Sequence, residues 1–226
     1  MTVRPALRVR TAGVVDTAGV LEVLRPVIAS TAMSRWLHPS AGTRGRLVGE
    51  GVTTLVDGAA TGGDIRVVEA GRRVLGAAIW APCTARRCLL HDLALTPILG
   101  PDGERRRQLA AALSRRRPRA PHDHLLVIGV LPEHQRSGLG TALLADWHGR
   151  PAVDPSYVLA NDAVAGLVRR FGYHPIGRPI RPSPAAPALR PMWRADVAAP
   201  RHRPAEAAPD DVYWPTNRSY KDLDLP

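Results

Sequence analysis

HLLVIGVLPEHQRSGLGTALL, residues 124 to 144, decides how the rest of the chain is read. His124 to Leu131 is a nearly continuous apolar run, the pattern of a strand covered on both faces. Pro132-Glu133-His134 makes a tight turn, and Gln135-Arg136-Ser137-Gly138-Leu139-Gly140 then opens a helix. Gly138 and Gly140 let the backbone approach a ligand closely and expose successive amides at the helix start. Such amides, at the positive end of a helix, suit a pyrophosphate, and Arg136 adds a mobile positive charge beside them. The three-glycine G-x-G-x-x-G spacing is absent here, as is the G-K-[ST] of a P-loop. On glycine content alone, an ordinary turn is the plainer reading.

The flanks support a folded unit around this stretch. SYVLA, Ser156 to Ala160, reads as a second strand, and Asn161 or Asp162 caps a helix over DAVAGLVRRF. Gly172 ends that helix before a short strand from Tyr173, a proline-rich loop spans 179 to 191, and MWRADV closes the sheet. Upstream, Ala6 to Thr11 is a first strand, and VLEVLRPVIAS forms a helix capped by Asp16 or Thr17. Met33, Trp36 and Leu37 suggest a further helical turn, and the Gly/Thr-rich stretch 39 to 63 reads as loop or short helix. DIRVVEA and VLGAAIWA around Gly71-Arg72-Arg73 give the best hairpin signal. Cys83 to Leu99 is ambiguous between helix and strand, and a charged helix, ERRRQLAAALSRR, starts at Asp102 or Gly103. The expected fold class is α/β, a mixed, mostly antiparallel central sheet flanked by helices. The expected domain covers 1 to 200, with 201 to 226 a flexible tail that carries one short cluster suited to docking, Val212, Tyr213 and Trp214.

Composition narrows the function classes. The apolar fraction of 45% is enough for a core, while 22 prolines and 20 glycines among 226 residues point to loop-rich stretches around it. No apolar run is long enough to span a bilayer, and the basic N-terminus lacks the apolar centre of a signal peptide. Two cysteines, Cys83 and Cys88, make no disulfide framework, and their spacing is neither a redox nor a zinc pair. They read as inert, no metal site is expected, and the expected compartment is the reducing cytoplasm. The net charge is +11, and every basic residue except Lys221 is an arginine, which favours phosphate-bearing partners. Aromatics are only 4% and no nucleic-acid motif is present, so nucleic acid is not expected as a partner, nor is a membrane.

Residues 130 to 144, V-L-P-E-H-Q-R-S-G-L-G-T-A-L-L, resemble the acetyl-CoA motif of the GNAT superfamily, Q/R-x-x-G-x-G/A between a buried strand and an amphipathic helix. Gln135, Gly138 and Gly140 occupy the three defining positions. Further on, VLAN ends a strand at Asn161, and LVRRFGY is similar to the family's L-Y-x-x-x-G-F, with Leu167, Gly172 and Tyr173 in place. The resemblance covers residues 122 to 177, extends to the hairpin at 64 to 80, and thins over 3 to 37. The long insert before the motif and Pro191-Met192-Trp193 near the end look most like the puromycin N-acetyltransferase branch.

The resemblance implies an N-acetyltransferase that moves an acetyl or other acyl group from acetyl-CoA, as co-substrate, to a primary amine by direct attack. It implies that amides of Arg136, Ser137, Gly138, Leu139, Gly140 and Thr141 hold the pyrophosphate. Main-chain groups of Ile128 and Val130 would pair with the pantetheine arm, with Gln135 and Asn161 completing the cofactor site. Many members carry, at the position of Val168, a tyrosine that protonates the departing thiolate, and valine cannot. His122, Asp123 and His124 lie where members often place a base or a water-ordering residue. His124 and Asp123 are the candidate catalytic pair, although solvated loop residues are the plainer reading; Glu133 and His134 fit turn geometry. His91-Asp92 reads as a surface dyad, and Trp36 and Trp80 as acceptor-pocket walls or core. The expected partner is a small-molecule amine, with a homodimer left open. The competing reading is a catalytically weak acyl-CoA-binding sensor, motivated by Val168.

Overall fold

The computed structural model describes residues 6–83, 103–114, 118–150 and 155–195. The tail from 201 with its Tyr213-Trp214 pair, the His91-Asp92 dyad, Cys88 and the run Arg115 to Arg117 lie outside the described residues.

The N-terminal half is more regular than its composition suggests. Strand β1, Leu7–Thr11, leads through a single turn into helix α1, Thr17–Ala29, and then α2, Ala32–Leu37, capped by the Thr31 hydroxyl, which accepts from the Ser34 amide. The stretch expected to be a loop or short helix is instead α3, Ala41–Gly62, a helix of 22 residues. Leu47, Val48, Val52, Leu55, Val56 and Ala59 recur at helical spacing and are all buried. Burial of that stripe outweighs the propensity cost of the glycines and threonines between them.

The hairpin is β2, Asp64–Ala70, and β3, Arg73–Cys83, with a bulge at Val68/Glu69. Helix α4, Glu104–Ser114, follows, and then β4, His122–Val130. The glycine turn opens α5, Leu139–His148; β5, Ser156–Ala160, leads to α6, Asp162–Val168, which ends on left-handed Gly172 after one further turn. The last elements among the described residues are two short strands, β6, His174–Pro175, and β7, Arg190–Arg194.

These strands form one seven-stranded sheet in the order β1-β2-β3-β4-β5-β7-β6, in which only β4 and β5 run parallel. The expected fold class is therefore found. Gly129 of β4 lies under Leu24 and Val27 of α1, while Trp80 of β3 stacks on Trp147 of α5 at 4.3 Å. Side chains alternate along a strand, so α1 and α3 cover one face of the sheet and α5 the other. Trp80 is 1% exposed and belongs to the core, not to a pocket wall. Trp36 packs with Leu37 and Leu109 of α4, and Arg105 donates to its carbonyl at 2.6 Å.

The N-terminal edge is pinned by charge. Arg10 of β1 donates to both Asp16 oxygens, at 2.6 and 2.9 Å, and to Glu69 of β2 at 2.6 Å. These bonds hold the Asp16 carboxyl down at about 2 and push the Arg10 guanidinium up. Among the described residues, no helix is long and apolar enough to cross a membrane.

Candidate active site

The parallel pairing of β4 and β5 is short. Asp123, His124 and Leu125 face Ser156, Tyr157 and Val158, and the register goes no further. Among the described residues, no strand pairs with the β5-facing edge of β4 beyond Leu125, which includes the backbone of Ile128 and Val130. Gln135 reaches back from the turn and its Nε2 donates to the Val130 carbonyl at 3.1 Å, so it ties the turn to the end of β4.

The turn then aims its amides. Arg136 has a positive φ of 62° and Gly138 one of 88°, two left-handed residues separated by Ser137. Ser137 anchors the loop through its hydroxyl, which donates to the His134 carbonyl, and Glu133 ties the turn to β3 through Arg73 at 3.2 Å. Glu133 and His134 thus serve the turn, as expected. The Ala142 amide is the first to bond back into the helix, to the Gly138 carbonyl at 2.9 Å. Leu139, Gly140 and Thr141 therefore present amides with no intrahelical acceptor at the positive end of α5.

The two glycines act differently. A Cβ on Gly138 would meet nothing within 4 Å, so its need is conformational and the space in front of it is open. A Cβ on Gly140 would stand 3.1 Å from Leu167 Cδ2, so its need is close packing of α5 on α6. Asn161 caps α6, its Oδ1 accepting from the Val164 amide at 2.9 Å. Val168 is 0% exposed and part of the main core. A tyrosine there would need the core to open.

At the other end of β4 the register gathers an aromatic nest. Cys83 opposes His122 and Ala81 opposes His124, all on the face covered by α1 and α3. The His124 ring lies 5.0 Å from that of Tyr157, and His122 lies 5.5 Å from both Tyr157 and Trp193. His122 and His124 are buried, at 3% and 4% exposure, so neither is a solvated loop residue. Asp123 alternates to the opposite face, where its charge acts on Tyr173. The structure thus separates His124 from Asp123 and brings it together with His122, Tyr157 and Trp193. The sequence signal for this was the spacing of two histidines at i and i+2 on a strand.

Below the other face, burial and the nearby charge of Arg194 hold His148 down at about 4, and burial pushes the Tyr173 phenol up. The Tyr173 hydroxyl and His148 Nε2 lie 3.3 Å apart. Neither cysteine was expected to do chemistry, yet Cys83 is disulfide-bonded. Its sulfur and one nitrogen each of His122 and His124 lie within 4.8 Å of one another.

No protein-family model and no curated protein sequence matches the chain. Solved structures do. An acetyltransferase from Corynebacterium glutamicum, described as related to histone acetyltransferase, is 23% identical over 88% of this chain and 99% of its own, with a TM-score of 0.61. A polyamine N-acetyltransferase from Drosophila melanogaster, which forms N-acetylagmatine, is 16% identical over 84% of this chain and 100% of its own, with a TM-score of 0.51. An N-acetyltransferase from Thermoplasma acidophilum, solved in complex with coenzyme A, is 9% identical over 84% of this chain and 99% of its own, with a TM-score of 0.50. The chain has the GNAT fold.

Proposed function

We propose that this GNAT-fold chain transfers an acetyl or other acyl group from acyl-CoA to the primary amine of a small molecule by direct attack, with no covalent enzyme intermediate. The observation that carries this reading is the pairing of an open β4 edge with an amide-lined helix start in the same turn. The residues present fit acyl-CoA. The first-turn amides of α5, with those of Arg136, Ser137 and Gly138, would take the pyrophosphate, and Ile128 and Val130 would hold the pantetheine arm. Gln135 positions Val130, and the Asn161 side-chain amide would donate to the same arm. The bound thioester supplies an activated acyl carbon and a thiol leaving group of pKa about 8.5.

His124 would take the proton that the amine loses as the C–N bond forms and the C–S bond breaks. Its ring nitrogen is a general base of the right chemical type, and its buried aromatic surroundings keep competing water away. Orientation and exclusion of water supply most of the rate in such a scheme. Asp123, on the opposite face, has no share in that proton transfer. The small amines acted on by neighbours such as the polyamine enzyme support an amine acceptor, while the arginine-rich charge of +11 argues against a polycationic one. A cytoplasmic setting is part of the same proposal.

Release of free thiol from acetyl-CoA across a panel of small amines tests it. Turnover with at least one amine is expected, and His124→Gln should lower kcat by about 10²-fold or more while the affinity for acetyl-CoA stays within threefold. Tight acetyl-CoA binding with no turnover on any amine would favour the sensor reading, whose support is the buried Val168.

A further inference from the structure

Cys83, His122 and His124 come from two neighbouring antiparallel strands, and the β3–β4 register stacks them on one face of the sheet. Their exposures are 2%, 3% and 4%, so the three donors converge inside the protein, not at its surface. One sulfur and two imidazole nitrogens lie within 4.8 Å of one another, about an ångström wider than the edges of a tetrahedral zinc site. His122 is also oriented for ligation. Its Nδ1 lies 2.7 Å from the Ala120 carbonyl, so Nδ1 carries the proton and Nε2 the lone pair. A metal-binding histidine is held in the same way, by a carbonyl behind it.

We propose that the reduced chain binds one zinc-class divalent ion through the Cys83 thiolate, His122 Nε2 and His124, in a site closed by oxidation of Cys83. The donor set is one soft sulfur and two borderline nitrogens, which selects zinc or cobalt over magnesium or calcium. In the structure Cys83 is disulfide-bonded, and Cys88 is the only other cysteine of the chain. A dithiol reductant opens the bond by exchange: two electrons pass to the protein disulfide, the reductant becomes a cyclic disulfide, and two thiols form. The Cys83 thiol then gives its proton to solvent as the metal–sulfur bond forms. Three protein ligands leave a fourth position for water. Because His124 is a ligand, a filled site would hold the lone pair that the acyl transfer needs. The metal site itself does not depend on that transfer.

Cobalt(II) titration of the tag-free full-length protein tests this, before and after reduction by a dithiol that is then removed under inert gas. The reduced protein should bind one cobalt per chain, with a cobalt–thiolate charge-transfer band and tetrahedral visible absorption, and zinc should displace it. The oxidised protein should bind at least 100-fold more weakly. Cys83→Ser should remove the thiolate band, and His122→Ala should weaken binding by at least 100-fold. Thermal melting of each variant, and His122→Gln as a second variant should the alanine fail to fold, keep loss of ligation distinct from loss of structure. Absence of stoichiometric binding by the reduced wild type, a spectrum without a thiolate band, or equal affinity in the oxidised form would overturn the proposal.

Discussion

Gly138 and His148 show how one residue's environment sets its role. At Gly138 the space is open and the backbone is left-handed, with φ of 88°. Gly138→Glu therefore adds strain of about 1–2 kcal/mol and places a negative charge where the cofactor's phosphates are proposed to sit. The protein should stay folded, with a melting point lower by roughly 2–8 °C, while calorimetry with acetyl-CoA should show binding lost. Saturable binding unchanged in that variant would move the cofactor elsewhere. At His148 burial holds the imidazole down at about 4 against an ordinary 6.5. Below 6.5 the unfolded chain takes up a proton that the folded one refuses, so stability falls as pH drops from 6.5 towards 4. Melting curves across that window should flatten in His148→Gln. An unchanged slope would mean that the ring is more hydrated than its packing suggests. Asp16 contributes in a separate and more acidic window, between 3.8 and about 2.

Among elements, the contact of α5 with α6 and the anchoring of β1 are the sharpest cases. Gly140→Val would drive a branched side chain into Leu167, whose Cδ2 already stands 3.1 Å from the Cβ position. Overpacking of this kind costs about 1–3 kcal/mol, and thermal melting should report it together with a weaker hold on acetyl-CoA. An Arg10→Met variant leaves the Asp16 and Glu69 carboxylates without their shared cation. It should lower the melting temperature by at least about 4 °C, with no change in affinity for acetyl-CoA, since this triad lies at the far edge of the sheet from β5. A melting point unchanged within a degree would show the triad to be a solvated surface network.

The elements also show what the sequence could and could not tell. β4, the turn, α5, β5 and α6 were legible because apolar runs, glycines and a capping asparagine all agree over residues 124 to 172. The helix α3 was not, because its glycines and threonines mask a stripe whose meaning comes only from burial against α1 and β3. The nest around His124 was half legible. The motif region pointed to His124, but adjacency in sequence suggested Asp123 as its companion, and strand alternation sends that carboxylate to the other face. Tyr157, Trp193 and Cys83 arrive through strand pairing across gaps of tens of residues, which no local pattern records.

On the scale of the whole molecule, one strand, β4, carries the glycine turn after its end and the histidine nest at its start. The β5-facing edge after Leu125 lies between them. In the proposed placement an acyl carrier would lie along that edge with its phosphates at the turn and its reactive carbon towards the nest. Amide shift mapping of the uniformly labelled protein on addition of acetyl-CoA tests this placement most directly. The largest shifts should fall at Arg136 to Thr141, at Ile128 and Val130, and at the Asn161 side chain, with smaller ones at His124. Saturable shifts confined to β1, at the far edge of the sheet from β5, with those amides silent, would contradict it.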